Sequence, residues 1–250
     1  MLQPDQQQQP QQDSQTERPA RGDFVSQQIT IGGHTLVADK SGALYWPARR
    51  LLIVADLHLE KGSALAVRGR MLPPYDTRST LLMLAEVIVR YDVRTVVALG
   101  DSLHDVDAPR RIAPADLDLL RLVQTDRDWI WLAGNHDPRI DAVMGGQCRA
   151  EVEISGLCLR HEPRPGRTNR EIAAHLHPAA KLATRGMTLR RRCFVADSQR
   201  VVLPAFGAYA GGLNVLDEAF APLFDRADFA VWMLGGAGLY PVATRHLRDD

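Results

Sequence analysis

Several large classes of protein are excluded by what this sequence lacks. It has three cysteines, Cys148, Cys158 and Cys193, none in a C-x-x-C pair. That argues against both a disulfide framework and a zinc ribbon, and fits a reducing compartment. Neither sign of charge is in excess: 30 basic residues balance 30 acidic ones. A protein that coats nucleic acid through net charge alone is therefore excluded, and any polyanion must be met locally. No uninterrupted apolar stretch reaches the roughly 18 residues of a spanning helix. The first residues are rich in glutamine and proline rather than a basic patch followed by an apolar run, so no secretory signal is expected and the expected location is cytoplasmic. No internal repeat at a fixed period is found.

What remains is an ordinary globular composition, 250 residues with 45% apolar and 24% charged, enough for one large domain or two small ones. Residues 1–22 contain almost nothing that could join a core and are expected to form a disordered tail, with residues 23–250 as the folded domain. Gln28–Ile31 and Thr35–Val37 flank Gly32-Gly33 at the spacing of a short hairpin. Three continuous apolar runs follow, Leu51–Ala55, Thr95–Leu99 and Trp129–Ala133, of the kind buried on both faces of a sheet. Helices are expected between them: one from a cap at Asp76 to about Tyr91, and one begun by Pro114 that carries Leu117, Leu120 and Leu122. The second half has shorter runs, Glu151–Ile154, Leu157–Leu159, Arg192–Ala196 and Val201–Leu203, and predicts a largely antiparallel sheet ending in a hairpin of Phe229–Leu234 with Leu239–Val242.

Each of the three apolar runs delivers metal-ligand residue types just past its carboxyl end, the edge at which open α/β sheets bind ligands. Asp56-Leu57-His58, Gly100-Asp101 and Gly134-Asn135-His136-Asp137 are followed by His161 and by His175-Leu176-His177. Each residue alone is weak evidence, and His34 and His246 read as ordinary surface histidines. The ordered set is another matter. Carboxylate, amide and imidazole donors without thiolate suit manganese, iron or zinc, and two adjacent cations need a bridging carboxylate, for which Asp101 is the natural choice.

This order of motifs resembles the calcineurin-like metallophosphoesterase superfamily from Ile53 to about Pro178. The segments VADLHLEKG, LGDSLHD, AGNHDP, AHLHPA and LPAFGAYAGGLNV more narrowly resemble the bacterial ligase-associated DNA-damage-response endonuclease family, PdeM, from about Ile29 to Tyr240. The resemblance implies a single-domain α/β fold, a four-layer α/β/β/α sandwich. One metal would be held by Asp56, His58, Asp101 and His177, and the other by Asp101, Asn135, His161 and His175. Manganese is the implied metal, and DNA, single-stranded or open-ended, the implied substrate. A DNA ligase and a helicase of a repair operon are the implied partners. Two departures stand out: Ala174 replaces the glycine usual before the last histidine pair, where alanine would be strained if that position needs positive φ or close backbone approach to the metals, putting His175 in question as a ligand, and Glu60 stands where many relatives have glycine.

In such a site two divalent ions would activate a water and align its attack on phosphorus. His136 is the expected proton donor to the leaving oxygen, with Asp105 or Asp137 as the carboxylate that favours its cationic form. His104 resembles a histidine of superfamily nucleases that lies against the substrate nucleotide. Residues 160–192 contain nine basic residues against Glu162 and Glu171, a basic rim suited to phosphates, in which Arg164 and Arg167, with Arg68 and Arg70 extending it, are expected to meet substrate. Other functions remain open at this point: a small-substrate phosphoesterase or phosphatase, and a metal-bound interaction module of a repair complex with vestigial hydrolysis.

Overall fold

The computed structural model of the chain describes residues 25–166, 170–184, 186–225 and 228–250; the tail expected over residues 1–22 lies outside them. The first sheet follows chain order: β1 (Ser26–Ile31), β2 (His34–Asp39), β3 (Leu44–Trp46), β4 (Leu51–Val54), β5 (Thr95–Ala98), β6 (Asp128–Leu132) and β7 (Gln147–Arg149). Strands β1 to β4 are antiparallel, and β4 to β7 are parallel. The second sheet holds β8 (Glu151–Ile154), β9 (Leu157–Arg160), β10 (Glu171–Ala173), β11 (Pro178–Thr184), β12 (Met187–Ala196), β13 (Arg200–Val202), β14 (Leu213–Asn214), β15 (Ala230–Leu234) and β16 (Leu239–Val242). Most of its pairings are antiparallel, as expected, but it is mixed: β10 runs parallel to both β9 and β13, and β11 parallel to β14. That difference matters: β9 and β10 deliver ligand-type residues from their carboxyl ends just as β4, β5 and β6 do.

Strand alternation sorts the apolar residues between layers. Leu51 and Ile53 of β4 face the second sheet and pack with Leu157, Leu159, Ile172 and Phe194. Leu52 and Val54 face the other way, onto α2 (Asp76–Tyr91) and α4 (Pro114–Gln124), through Leu81, Leu84, Ile88, Leu120 and Val123. The outer face of the second sheet carries Cys193, Val195, Val231 and Met233 and is covered by Phe220, Leu223, Phe224 and Leu247. The α/β/β/α sandwich is thus present, with its fourth layer built among the described residues from a short 3-10 turn (Glu218–Phe220) and loops.

Local departures from expectation have simple causes. Asp76 does not cap α2; it is buried, and its carboxylate accepts the Gly62 amide at 3.1 Å. On α4, Val123 rather than Leu122 faces the core, and Leu122 is exposed. Two short helices, α1 (Lys61–Val67) and α3 (Ala108–Arg111), were not expected, since each is too short for a periodic apolar face.

Candidate metal centre

The loops after β4, β5, β6, β9 and β10 meet at one edge of the sandwich. Backbone hydrogen bonds hold them in register: the Asp56 amide donates to Gly100 (3.2 Å), His58 to Asp101 (2.9 Å) and Ala174 to His161 (2.9 Å). Asp56, His58, Glu60, Asp101, His175 and His177 all have left-handed backbone, with φ between 45° and 70°. Such conformations disfavour residues with a Cβ and persist where surrounding structure enforces them, characteristically at functional sites. Ala174 is not among them. The strain anticipated at Ala174 is therefore absent, and the left-handed residue is His175 itself. At Glu60, with φ 66°, the fit to a glycine position is real, but this side chain earns its place: its carboxylate accepts the Thr77 and Ser63 hydroxyls at 2.7 and 2.6 Å.

Side-chain donors fall into groups whose ligand atoms lie within 4.8 Å of one another. The first is Asp56, His58 and His177. Nε2 of His58 lies 3.2 Å from Nε2 of His177, which is 3.3 Å from Oδ1 of Asp56. The second is Asp101, His161 and His175, with His161 Nε2 3.2 Å from His175 Nδ1 and 3.5 Å from Asp101 Oδ2. His161 Nδ1 lies 2.7 Å from the Leu99 carbonyl; donation there leaves Nε2 as the free donor atom. Oδ1 of Asp56 and Nδ1 of His58 are buried without a hydrogen-bond partner. A buried carboxylate oxygen facing the Nε2 atoms of His58 and His177 fits a divalent cation, which would satisfy these three atoms together.

A third group, His58, His104 and His136, adjoins the first. The His104 and His136 rings stack with centroids 5.2 Å apart. Nδ1 of His136 lies 2.8 Å from the His104 carbonyl, and Nε2 is 3.9 Å from Asp101 Oδ2. With Nδ1 donating to that carbonyl, Nε2 faces the cluster.

Electrostatics divide these groups. Burial opposes charge on Asp101, but the His161 imidazole and the His136 amide hold its carboxyl far below the usual range. Burial, then the neighbouring His177, pushes His58 down to about 3. Burial also disfavours charge on His161, yet Asp101 and Asp56 outweigh it and raise this group to about 8. His104 is lowered by burial, and next by its neighbours His136, Lys61 and Arg68.

Of the two carboxylates expected to serve His136, neither faces its ring. Asp137 is buried, accepts the Ser102, Leu103 and Gly134 amides at 2.7, 2.9 and 3.2 Å, and is raised by burial to about 6. It splints the loops after β5 and β6. Asp105 is held by Arg111 through both oxygens at 2.9 Å. The carboxylate nearest His136 is Asp101. Asn135 is exposed and lines, with Glu151, Arg160, His161, Glu162 and Arg164, a cleft of about 420 Å³ beside the second group.

Part of the basic rim is paired to acids, two cations to each of Glu151 and Asp250. Arg160 pairs with Glu151 at 2.9 Å and approaches Glu171 at 3.4 Å; Arg164 also reaches Glu151, and Lys181 and Arg190 reach Asp250. Arg200 fills the Glu171 pairing at 2.6 Å, with both side chains almost wholly buried. Arg167 and Arg185 lie outside the described residues. Arg68 and Arg70 are exposed after α1.

Arg192 is not a rim residue. It is largely buried and donates to the carbonyls of Ala205, Phe206 and Gly207 at 2.6, 3.4 and 3.1 Å. It holds the segment 205–207 against the first ligand loop, where the Phe206 amide meets Ala55 and the Gly207 amide meets Asp56. A Cβ on Gly207 would lie 2.2 Å from the Leu57 carbonyl, and one on Gly134 would lie 2.2 Å from the Asp101 amide. Glycine at both positions is thus required by close approach of backbone rather than by positive φ. The Leu213 amide in turn donates to His177 at 3.0 Å. The segment LPAFGAYAGGLNV thus buttresses both Asp56-Leu57-His58 and His175-Leu176-His177.

Two stacked sheets whose parallel strands deliver histidine and aspartate to a shared edge define a metallophosphoesterase. No family model matches the chain, and a search of curated proteins gives no match. Among solved structures, nuclease MPE from Pseudomonas putida is similar at 31% identity over 87% of this chain and 100% of that chain, with a TM-score of 0.66. The phosphoesterase Yfce from E. coli is similar at 16% identity over 78% of this chain and 98% of that one, with a TM-score of 0.39, too remote to add to the assignment. The chain belongs to the metallophosphoesterase family that includes the P. putida nuclease, and is an enzyme of that class.

Proposed function

We propose that the protein is a manganese-dependent phosphodiesterase and endonuclease that hydrolyses DNA, single-stranded or open, in repair. The observation that carries this reading is the convergence of two oxygen-and-imidazole groups, Asp56, His58, His177 and Asp101, His161, His175, at one strand-end edge. Asp101 would bridge them, and Asn135 would complete the second. Divalent cations held by these residues would supply an activated water at neutral pH and offset charge on the phosphoryl oxygens. His136 carries a proton on Nε2 to the leaving oxygen, with Nδ1 kept on the His104 carbonyl so that the ring holds its aim. The Asp101 carboxylate lies 3.9 Å from that Nε2. His104, stacked on His136, positions the phosphodiester. Asp137 acts as a splint, and Asp105 fixes Arg111, so both support geometry rather than protonation.

The pairing of Arg160, Arg164 and Arg190 to acids favours one competing reading, a phosphoesterase for small substrates. Assaying the protein with manganese on a model phosphodiester, a model phosphomonoester and circular single-stranded DNA, with Asn135→Ala as blank, separates the readings. Nicking of the circle, weakened by salt far more than the small-substrate reaction, is expected. Preference for the monoester identifies a phosphatase, and silence on all three with metals bound identifies an interaction module.

A further inference from the structure

The segment joining α1 to α2 carries a surface that the metal centre does not account for. From Lys61 to Tyr75 the chain has Lys61, Arg68 and Arg70 and no carboxylate. Asp76, which follows, turns its carboxylate inward to Gly62. Val67, Met71 and Tyr75 are 77%, 83% and 67% exposed. Adjacent exposed apolar and aromatic side chains flanked by cations are a surface of the kind that binds something.

The segment is also held in place. The Arg70 amide donates to Leu65 at 2.9 Å, the Tyr209 hydroxyl donates to the Pro73 carbonyl at 2.9 Å, and Pro73-Pro74 restricts the backbone. It lies beside the proposed substrate histidine. The His104 amide donates to Leu59 at 2.9 Å, just before α1, and Arg111 joins Ser63 of α1 to Asp105 at 2.9 Å each.

From this juxtaposition we propose that the ridge from Arg68 to Tyr75 is a platform for a single-stranded polynucleotide, with Tyr75 and Met71 offering faces to unpaired bases and Arg68 and Arg70 meeting neighbouring phosphates. It rests on the phosphodiesterase reading, since the strand gripped is the one presented to the metal centre. Stacking platforms interleaved with cations hold single strands without reading sequence. Charge selects this occupant: a run of chain with three cations and no carboxylate of its own suits a polyanion, and an aromatic ring suits bases that are not paired.

The test is fluorescence anisotropy of a labelled oligothymidylate with the full chain, metal-free so that no turnover occurs. Tyr75→Ala is expected to weaken binding about tenfold. Arg70→Ala is expected to reduce the slope of log affinity against log salt by about 0.7. Melting temperatures should not move, because both side chains are exposed. Unchanged affinity in both variants overturns the platform, as does wild-type protein that fails to bind the oligonucleotide or whose Tyr75 and Arg70 are needed only for binding anionic vesicles. Hydrolysis of bis(4-nitrophenyl) phosphate by the wild type in manganese reports separately on the phosphodiesterase reading. Its absence, with Tyr75-dependent binding intact, rejects that reading and keeps the platform; its presence, with binding indifferent to Tyr75 and Arg70, does the reverse.

Discussion

Nε2 of His58 and Nε2 of His177 face each other at 3.2 Å across 119 residues of sequence, with the unpartnered Oδ1 of Asp56 within reach. Left to themselves, two such nitrogens share at most one proton. The neutral state enforced on His58, down at about 3, leaves lone pairs converging where a cation would satisfy them. The proposed chemistry follows from that convergence and from its counterpart at Asp101, His161 and His175.

His136→Ala should lower turnover by about 10²–10⁴-fold while metal content stays near wild type, because His136 contributes a proton and not a ligand. Asp101→Ala should lose both. Metal analysis alongside turnover on a diester with a poor leaving group checks the split; wild-type turnover in His136→Ala removes the assigned role.

Gly207→Ala should weaken manganese binding roughly 10–100-fold, as loss of support behind a ligand typically does. The new Cβ would lie 2.2 Å from the Leu57 carbonyl and must displace the turn that aims Asp56 and His58. A manganese titration that matches wild type would show that segment 205–207 does not buttress the site.

Ala174→Gly should not raise activity. Ala174 is wholly buried without left-handed backbone, so glycine relieves no strain and costs about 0.5–1 kcal/mol of stability. Urea unfolding and manganese-dependent turnover together check this expectation.

Asp39 is buried and accepts Arg90 Nη1 and the Tyr91 hydroxyl at 2.7 Å each, tying β2 to α2. Burial would raise its pKa, but the hydrogen bonds from Ser41, Tyr91 and Arg90 bring it below the ordinary 3.8. A depressed carboxyl stabilises the fold fully above its unfolded pKa, and that contribution fades as pH falls through 3.8 toward the folded value. Asp39→Asn should therefore cost about 1–2 kcal/mol at pH 6, discounted for the partly exposed arginine, and progressively less as pH is lowered below 3.8, as read by urea midpoints.

Much of this was legible in the sequence because the signals were local. Three apolar runs gave β4, β5 and β6, Pro114 gave the start of α4, and polar residues directly after buried strands marked the edge. The pairing of β10 was not legible, since three residues, Glu171–Ala173, give no sign of which strand they join. Nor could sequence separate Arg192, whose Nη1 is turned onto carbonyls, or Arg160, paired to acids, from the exposed Arg68: a cation's partners are set by tertiary contacts. The same holds for Asp105 and Asp137, adjacent to site residues in sequence yet turned toward Arg111 and backbone amides.

The most direct test of the two-metal account is anomalous diffraction at the manganese edge from crystals grown with the metal. The account predicts two peaks, one among Asp56, His58 and His177 and one among Asn135, His161 and His175, with the Asp101 carboxylate reaching both. A single peak, no peak, or an Asp101 turned away from one of them would contradict it.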